Sequence, residues 1–199
     1  PSVYKVTTET FTVSGKTEKD VKLIINNIEV KPREDGTFFK DFPLSLGYNK
    51  FEIKAVDLAG NETRLTRVIY RIEKKEIFLY VGETTAFING KEVKLDASPF
   101  IRNGRTYVPL RFISESIGGF VIWEGNEKKV MITLYDTSLT MWVDKLNYYV
   151  NSIPYLMDSP PLLLPPGRVF VPIRVVSESL GANVLWDGNL KKVTIIYPK

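Results

Sequence analysis

The chain carries the stretch RTYVPLRFISESIG at residues 105–118 and repeats it as RVFVPIRVVSESLG at residues 168–181. The match continues without a gap to residues 134 and 197, through a tryptophan, a glycine and a Lys-Lys-Val triplet in each copy. Upstream the similarity is weaker, although Asp96 still aligns with Asp158. Internal similarity of this kind indicates two copies of one structural unit.

Each copy has the local signals of a short helix. Pro109 and Pro172 are predicted at the first helical position, where the missing N–H is not needed. Gly118 and Gly181 supply the left-handed residue that ends a helix. The apolar residues between them fall on one helical face, which we expect to be buried: Leu110, Ile113 and Ile117 in the first copy, and Ile173, Val176 and Leu180 in the second.

A hairpin follows each predicted helix. Its strands are separated by tight turns at residues 124–126 and 187–189. Trp123 and Trp186 end the first strand on its apolar side, and we expect them in the core rather than as a platform for a sugar. The repeated unit is therefore predicted to be strand, strand, helix and hairpin, with one helix on a small antiparallel sheet.

Two arginines occupy unfavourable helical positions. Arg111 and Arg174 lie in the first helical turn, where the helix dipole disfavours cations, and Glu115 and Glu178 follow four residues later. We expect each arginine to act as a fork that bonds loop carbonyls and its glutamate. The alternative is a role in ligand binding or catalysis.

These residues resemble the copper amine oxidase-like N-terminal domain, whose pattern joins an Asn-Gly turn, Gly-Arg, Val-Pro-x-Arg, a short helix, a glycine and a tryptophan. The resemblance covers about residues 76–199 and departs from the pattern at Asn151-Ser152 and in the proline-rich segment 160–166. The matching residues are Asn89, Gly90, Arg105, Pro109, Arg111, Gly118 and Trp123 in the first copy, and Arg168, Pro172, Arg174, Gly181 and Trp186 in the second. The resemblance implies a stalk-like accessory domain and not the copper-bearing catalytic domain.

The composition excludes several classes of chemistry. The 199 residues include no Cys and no His, which removes disulfides, thiolate sites, imidazole ligands and the usual general base near neutral pH. We therefore expect no catalytic residue, no bound metal and no cofactor. A further functional hypothesis is a hydrolase that uses carboxylates such as Asp144, Asp158 or Glu178, although no sequence motif supports it.

Charge and hydropathy limit the partners. The net charge of +4 comes from Lys and Arg dispersed among Asp and Glu, so nucleic-acid binding is not expected. No apolar run approaches the roughly 20 residues that span a bilayer, so no membrane insertion is expected. Pro1 opens directly into strand-like sequence without a signal peptide, which is typical of a mature product or an excised fragment.

Residues 1–74 predict a small β-sandwich, because short alternating runs are separated by turns. The first run, at residues 10–13, is predicted to stop at Ser14-Gly15, and residues 65–72 change phase near Arg67-Val68, which suggests a bulge. The stretches VSGKT (13–17), DGTF (35–38), LGYN (46–49) and AVDLAGN (55–61) resemble bacterial immunoglobulin-like domains. That resemblance implies a spacer or adhesive module outside the cell.

Oxygen-bearing side chains cluster in the turn at residues 57–62. Asp57, Asn61 and Glu62 are possible calcium ligands, but their spacing does not complete a known loop. We favour a hairpin turn with local side-chain hydrogen bonds.

Two further surfaces are candidates for ligand or partner contacts. An aromatic cluster, in which we favour core packing over stacking on a sugar, precedes the second copy. A proline-flanked leucine run is predicted in polyproline geometry, either exposed to a partner or packed across the junction of the repeats. The cluster comprises Trp142, Tyr148, Tyr149 and Tyr155, and the run comprises Leu162, Leu163 and Leu164.

The sequence thus predicts a mainly β protein with α+β repeats. An immunoglobulin-like sandwich (1–74) precedes a copper amine oxidase-like N-terminal domain (75–199) with repeats at about 76–136 and 137–199. Residues 73–76 are too short and too poor in glycine for a flexible linker, so a semi-rigid rod is expected.

The leading functional hypothesis is a non-catalytic structural and interaction module on the bacterial cell surface or outside the cell. It would space or present a neighbouring domain, or contact a cell-wall polysaccharide or another surface protein. A dedicated carbohydrate-binding module that uses the aromatic cluster is the alternative.

Overall fold

Seven strands form in the first part of the chain, where apolar and polar residues alternate between turns. The computed structural model describes residues 4–199, in which a first unit ends at Glu73 and a second unit runs from Lys74 to Lys199. The strands of the first unit are β1 (Tyr4–Val6), β2 (Thr10–Lys16), β3 (Lys22–Ile25), β4 (Ile28–Val30), β5 (Thr37–Pro43), β6 (Gly47–Val56) and β7 (Glu62–Arg71).

The first unit is a two-sheet sandwich. One sheet has the order β1-β7-β6-β3-β4, in which β1 and β7 are parallel, and the other pairs β2 with β5. Apolar residues of both sheets fill the space between them, with Val13 and Phe42 on one side and Leu23, Phe51 and Ile69 on the other. The predicted sandwich is confirmed.

Two local predictions in this unit are wrong. β2 continues through Ser14-Gly15 to Lys16, because the ring of Phe38 lies over Gly15, where a Cβ atom would come within 2.8 Å of it. β6 and β7 pair in one unbroken register from Gly47–Arg71 to Val56–Glu62, without the bulge expected near Arg67-Val68. The first seven residues of β7 are all exposed, so neither face of this part of the strand has to be apolar. The apolar-polar alternation can therefore change phase here without a bulge.

The second unit contains fourteen strands and two helices in residues 74–199. The first repeat provides β8 (Lys75–Tyr80), β9 (Thr85–Ile88), β10 (Lys91–Lys94), β11 (Phe100–Arg102), β12 (Arg105–Pro109), α1 (Leu110–Ser116), β13 (Phe120–Glu124) and β14 (Lys129–Leu134). The second provides β15 (Thr137–Trp142), β16 (Asn147–Val150), β17 (Ile153–Leu156), β18 (Leu162–Leu164), β19 (Arg168–Pro172), α2 (Ile173–Ser179), β20 (Asn183–Asp187) and β21 (Lys192–Tyr197).

These strands form three antiparallel sheets that we call sheet 1, sheet 2 and the bridging sheet. Sheet 1 has the order β10-β9-β8-β21-β20, sheet 2 the order β13-β14-β15-β16-β17, and the bridging sheet the order β11-β12-β19-β18. The mainly β fold class with α+β repeats is confirmed. The repeat pattern did not predict that every sheet contains strands of both repeats.

The two repeats exchange their hairpins. The hairpin β13-β14 of the first repeat extends the three strands that open the second repeat, and the hairpin β20-β21 of the second repeat extends the three strands that open the first. As a result, β8 at the start of the unit pairs with β21 at its end over six residues, from Lys75–Tyr197 to Tyr80–Lys192.

The bridging sheet contains a local two-fold relation. β12 and β19 are antiparallel, and Val108 lies opposite Val171, its counterpart in the second repeat. A position that pairs with its own equivalent lies on a two-fold axis, as in the interface of a symmetric dimer. Both valines are fully buried, so the repeated Val-Pro segments form the centre of the unit.

The helices begin one residue later than we predicted from the positions of the prolines. Pro109 and Pro172 are the last strand residues, with extended ψ values of 119° and 115°, and the helices start at the residues that follow them. The predicted apolar faces are buried, and Gly118 and Gly181 follow the helices at φ +92° and +85°, as predicted. The expected tight turn at residues 124–126 is instead a 3-10 turn (Gly125–Glu127) that ends on the left-handed Lys128.

Candidate functional site

Reciprocal ion pairs connect the two repeats. Arg105, which opens β12, donates from Nε to Oδ2 of Asp158 at 2.7 Å and also from its terminal nitrogen. Arg168, its counterpart at the start of β19, forms an ion pair with Asp96 of the first repeat. The Gly-Arg motif of each repeat thus binds the aspartate that follows the third strand of the other.

The Arg105–Asp158 contact shifts both groups towards their charged forms. The hydrogen bonds from Arg105 lower the pKa of the Asp158 carboxyl, and the positive charge of Arg105 adds to this effect against partial desolvation. The same hydrogen bond raises the pKa of Arg105. Tyr107 adds a further link between the repeats, since its hydroxyl donates to the Pro160 carbonyl at 3.0 Å.

A cleft of about 640 Å³ opens beside this ion pair, and we call it the Trp186 cleft. Its lining includes the aromatic rings of Trp186 on β20 and Tyr148 on β16, together with Ile173 and Arg174 of α2. Arg105 and Asp158 also line the cleft. The cleft therefore combines two aromatic rings with charged groups from both repeats.

The equivalent position in the first repeat is much smaller. There, Trp123, Arg111, Asp96 and Arg168 surround a cavity of about 150 Å³. The tryptophans themselves are similarly placed, since Trp123 is 38% exposed and Trp186 is 42% exposed. The expectation that both tryptophans belong to the core is wrong. β13 and β20 are edge strands, so a neighbouring strand covers their side chains on one side only.

The helical arginines make weaker contacts than predicted. Arg111 lies 3.7 Å from Glu115 and Arg174 lies 3.6 Å from Glu178, and all four side chains are at least half exposed. In residues 4–199 neither guanidinium group donates to a loop carbonyl, so only the glutamate half of the predicted fork is present. Arg174 and Glu178 both line the Trp186 cleft.

The aromatic cluster predicted before the second repeat does not form one platform. Tyr148 pairs across the strands with Met141 and Tyr155 on the inner face of sheet 2, where Met141 is fully buried. The rings of Tyr148 and Tyr155 stack at 5.5 Å. Trp142 and Tyr149 lie on the outer face, in edge-to-face contact at 5.8 Å. Adjacent side chains of a strand point to opposite faces of the sheet, so Tyr148 and Tyr149 cannot both contact a ligand bound on one face.

The leucine run is a strand and not a polyproline helix. Leu162, Leu163 and Leu164 form β18 and pair with Phe170, Val169 and Arg168 of β19. β18 occupies the edge of the bridging sheet that corresponds to β11 in the first repeat. Leu163 is 40% exposed, and its neighbours are half-buried, so most of this run packs within the junction of the repeats.

The turn at residues 57–62 has local hydrogen bonds in place of open ligand positions. Asp57 accepts from the backbone N–H and the side-chain amide of Asn61, both at 2.8 Å, and these bonds lower the pKa of its carboxyl. Glu62 pairs with Lys54 and Arg64. The arrangement fits the hairpin turn better than a calcium site, because the oxygens of both carboxylates are already partnered.

The residues do not fit copper. Copper chemistry in proteins depends on imidazole or sulfur ligands, and the chain has neither His nor Cys. Among the residues that the structure describes, no three Asp or Glu side chains come together where they could hold a metal ion. No helix in the same part of the chain is long and apolar enough to cross a membrane.

The carboxylates considered for hydrolysis lie apart or in ion pairs. Asp158 and Glu178 both line the Trp186 cleft, each beside an arginine, whereas Asp144 lies outside it at 3.7 Å from Lys128. The pKa of Asp158 is lowered, which opposes a role as a general acid near neutral pH.

Sequence reasoning missed the role of the aspartates. Asp96 and Asp158 align between the repeats, and each precedes a Gly-Arg motif by several residues. That alignment was the available signal, but it could not show that each aspartate binds the arginine of the other repeat.

Comparisons with known families agree with this architecture. The family model described as copper amine oxidase N-terminal domain matches residues 60–132 and again residues 87–195, and the second match alone covers more than half of the chain. The model described as glucodextranase, domain B, matches residues 3–71, which is the region of the sandwich. No curated protein matches the chain. Copper amine oxidase N-terminal domains are non-catalytic accessory domains. The chain belongs to the copper amine oxidase N-terminal domain family.

Proposed function

We propose that the chain is a non-catalytic interaction module of a secreted or cell-surface bacterial protein, and that it contacts cell-wall polymer or another surface component. The family supports an accessory role, and the immunoglobulin-like sandwich is compatible with it. The lack of His and Cys removes imidazole and thiol chemistry from the chain.

The pairing of β8 with β21 favours contact over spacing. Lys75 lies directly opposite Tyr197, so the chain enters and leaves the second unit at neighbouring positions. Opposite Cα atoms in an antiparallel pair are only about 5 Å apart. A chain that continued beyond Lys199 would therefore gain almost no length from this unit. A unit that adds so little length suits contact with a partner better than separation of two domains.

Retention on bacterial envelopes tests this role. Fluorescently labelled full chain is mixed with intact bacterial cells and with purified sacculi, and the bound fraction is measured after sedimentation. We expect saturable retention that an excess of unlabelled chain displaces. A labelled protein of similar size and net charge is the control, because dispersed lysines alone cause weak binding to an anionic surface. Retention no greater than that of the control, on both cells and sacculi, would contradict the proposal.

A further inference from the structure

We propose that the Trp186 cleft binds a neutral oligosaccharide, with one sugar ring stacked on the indole of Trp186. The inference rests on the proposed function as an interaction module and names the ligand class and the site. It differs from the hypothesis of an aromatic platform around Trp142, because the residues of that cluster lie on two faces of sheet 2.

The cleft has the size and the accessible aromatic surface that a sugar needs. Its volume of about 640 Å³ lies within the roughly 300–1,000 Å³ range of small-ligand pockets. Trp186 is 42% exposed on an edge strand, so part of its side chain is open to solvent.

A second aromatic wall occurs only on this side of the pseudo-symmetric unit. Tyr148 lines the cleft, and Tyr155 stacks against it at a ring angle of 26°. The aligned residues of the first repeat are Ala86 and Val93, which have no ring. Two stacked tyrosines form a stiff surface that loses little conformational entropy when a ligand binds. The cavity of 150 Å³ beside Trp123 has no such wall.

The polar groups of the cleft favour an uncharged ligand. Arg105 pairs with Asp158 and Arg174 lies beside Glu178, so two cations face two carboxylates. An acidic polymer would meet both carboxylates, and a basic one would meet both arginines. Sugar hydroxyls both donate and accept hydrogen bonds. A neutral sugar can therefore accept from the guanidinium groups and donate to the carboxylates at the same time. All four side chains are between 49% and 64% exposed, so their polar atoms are within reach of a ligand.

Calorimetric titration of the full chain tests the proposal, because the chain contains its own control. The probes are the tetrasaccharides of β-1,4-linked N-acetylglucosamine and β-1,4-linked glucose, both neutral, and a galacturonic acid tetramer as the acidic comparison. We expect at least one neutral probe to bind and the acidic one to bind more weakly. Trp186→Ala should weaken binding at least about tenfold, whereas Trp123→Ala, at the equivalent position, should leave it unchanged.

Further variants separate stacking from folding. Trp186→Phe keeps a flat ring and should restore part of the affinity that Trp186→Ala loses. Tyr148→Ala should weaken binding, whereas Tyr149→Ala, on the opposite face, should not. Circular dichroism and thermal unfolding confirm that each variant is folded. Equal losses in the two tryptophan variants, or stronger binding of the acidic tetramer, would overturn the proposal.

The outcomes also separate this inference from the proposed function. Saturable retention on envelopes without binding of either neutral tetramer would sink the sugar cleft and leave the interaction role intact. Binding of a neutral tetramer that depends on Trp186, without retention on envelopes, would support the cleft and contradict the role at the cell surface.

Discussion

At the scale of single residues, the ion pairs Arg105–Asp158 and Arg168–Asp96 connect the two repeats. Each pair joins a strand start in one repeat to a loop in the other, so neither arginine meets its partner within its own repeat. The side chains are about half exposed, and exposed ion pairs contribute little to stability by themselves. We therefore expect each pair to contribute only a little to the stability of the second unit.

Asp158→Asn should lower the free energy of unfolding near neutral pH and have less effect in acid. The folded-state pKa of Asp158 lies below its usual value of 3.8, so the charged form stabilises the fold above that value. This contribution is lost as the pH falls through the lowered folded-state pKa. Urea unfolding of both proteins over a pH series measures it.

The control for this series is Glu34→Gln, at an exposed site of the first unit. It should change the stability little at any pH. A penalty for Asp158→Asn that stayed constant well below pH 3.8 would show that charge pairing with Arg105 is not its cause.

At the scale of secondary-structure elements, local sequence signals predicted the helix and the following hairpin of each repeat. The buried face of α1, the left-handed glycine after it and the following hairpin all follow from side chains within one repeat, which interact over a few residues. The position of Pro109 was one residue off because its extended ψ is set by pairing with Phe170 of the other repeat. That long-range contact is invisible in the local pattern.

Gly118→Ala should destabilise the second unit by about 1–2 kcal/mol, because Gly118 adopts φ +92° and a side chain there is strained. Thermal or urea unfolding measures the loss. Gly181→Ala, at φ +85°, should cost a similar amount. Gly125→Ala is the control, since Gly125 lies outside the left-handed region. A smaller loss in both helix-end variants than in Gly125→Ala would contradict the predicted strain.

The site was less predictable than the elements. Alternation placed Trp123 and Trp186 on the inner face of their hairpins, and this is correct for the sheet, because Trp123 pairs with the buried Val130. Whether such a side chain is covered depends on what lies beyond the edge strand, and that follows only from the arrangement of the repeats. The Trp186 cleft is formed by residues of both repeats for the same reason.

At the scale of the whole second unit, hairpin exchange is the feature that the sequence could not show. The segments KKVMI (128–132) and KKVTI (191–195) are nearly identical, so either could extend the strand at residues 75–80. In the structure β8 pairs with the distant segment, and the ends of the unit meet. The semi-rigid rod expected from the sequence stays a prediction.

The exchange of hairpins is tested most directly by engineered disulfides, because the chain has no cysteine of its own. Glu76 lies opposite Ile196, and directly opposed strand residues are close enough for a disulfide. Thr133 is the residue of the first repeat equivalent to Ile196, so it would face Glu76 if each repeat kept its own hairpin. After mild oxidation and peptide mapping by mass spectrometry, we predict an intramolecular disulfide in Glu76→Cys/Ile196→Cys and none in Glu76→Cys/Thr133→Cys. The reverse result would contradict the exchanged arrangement.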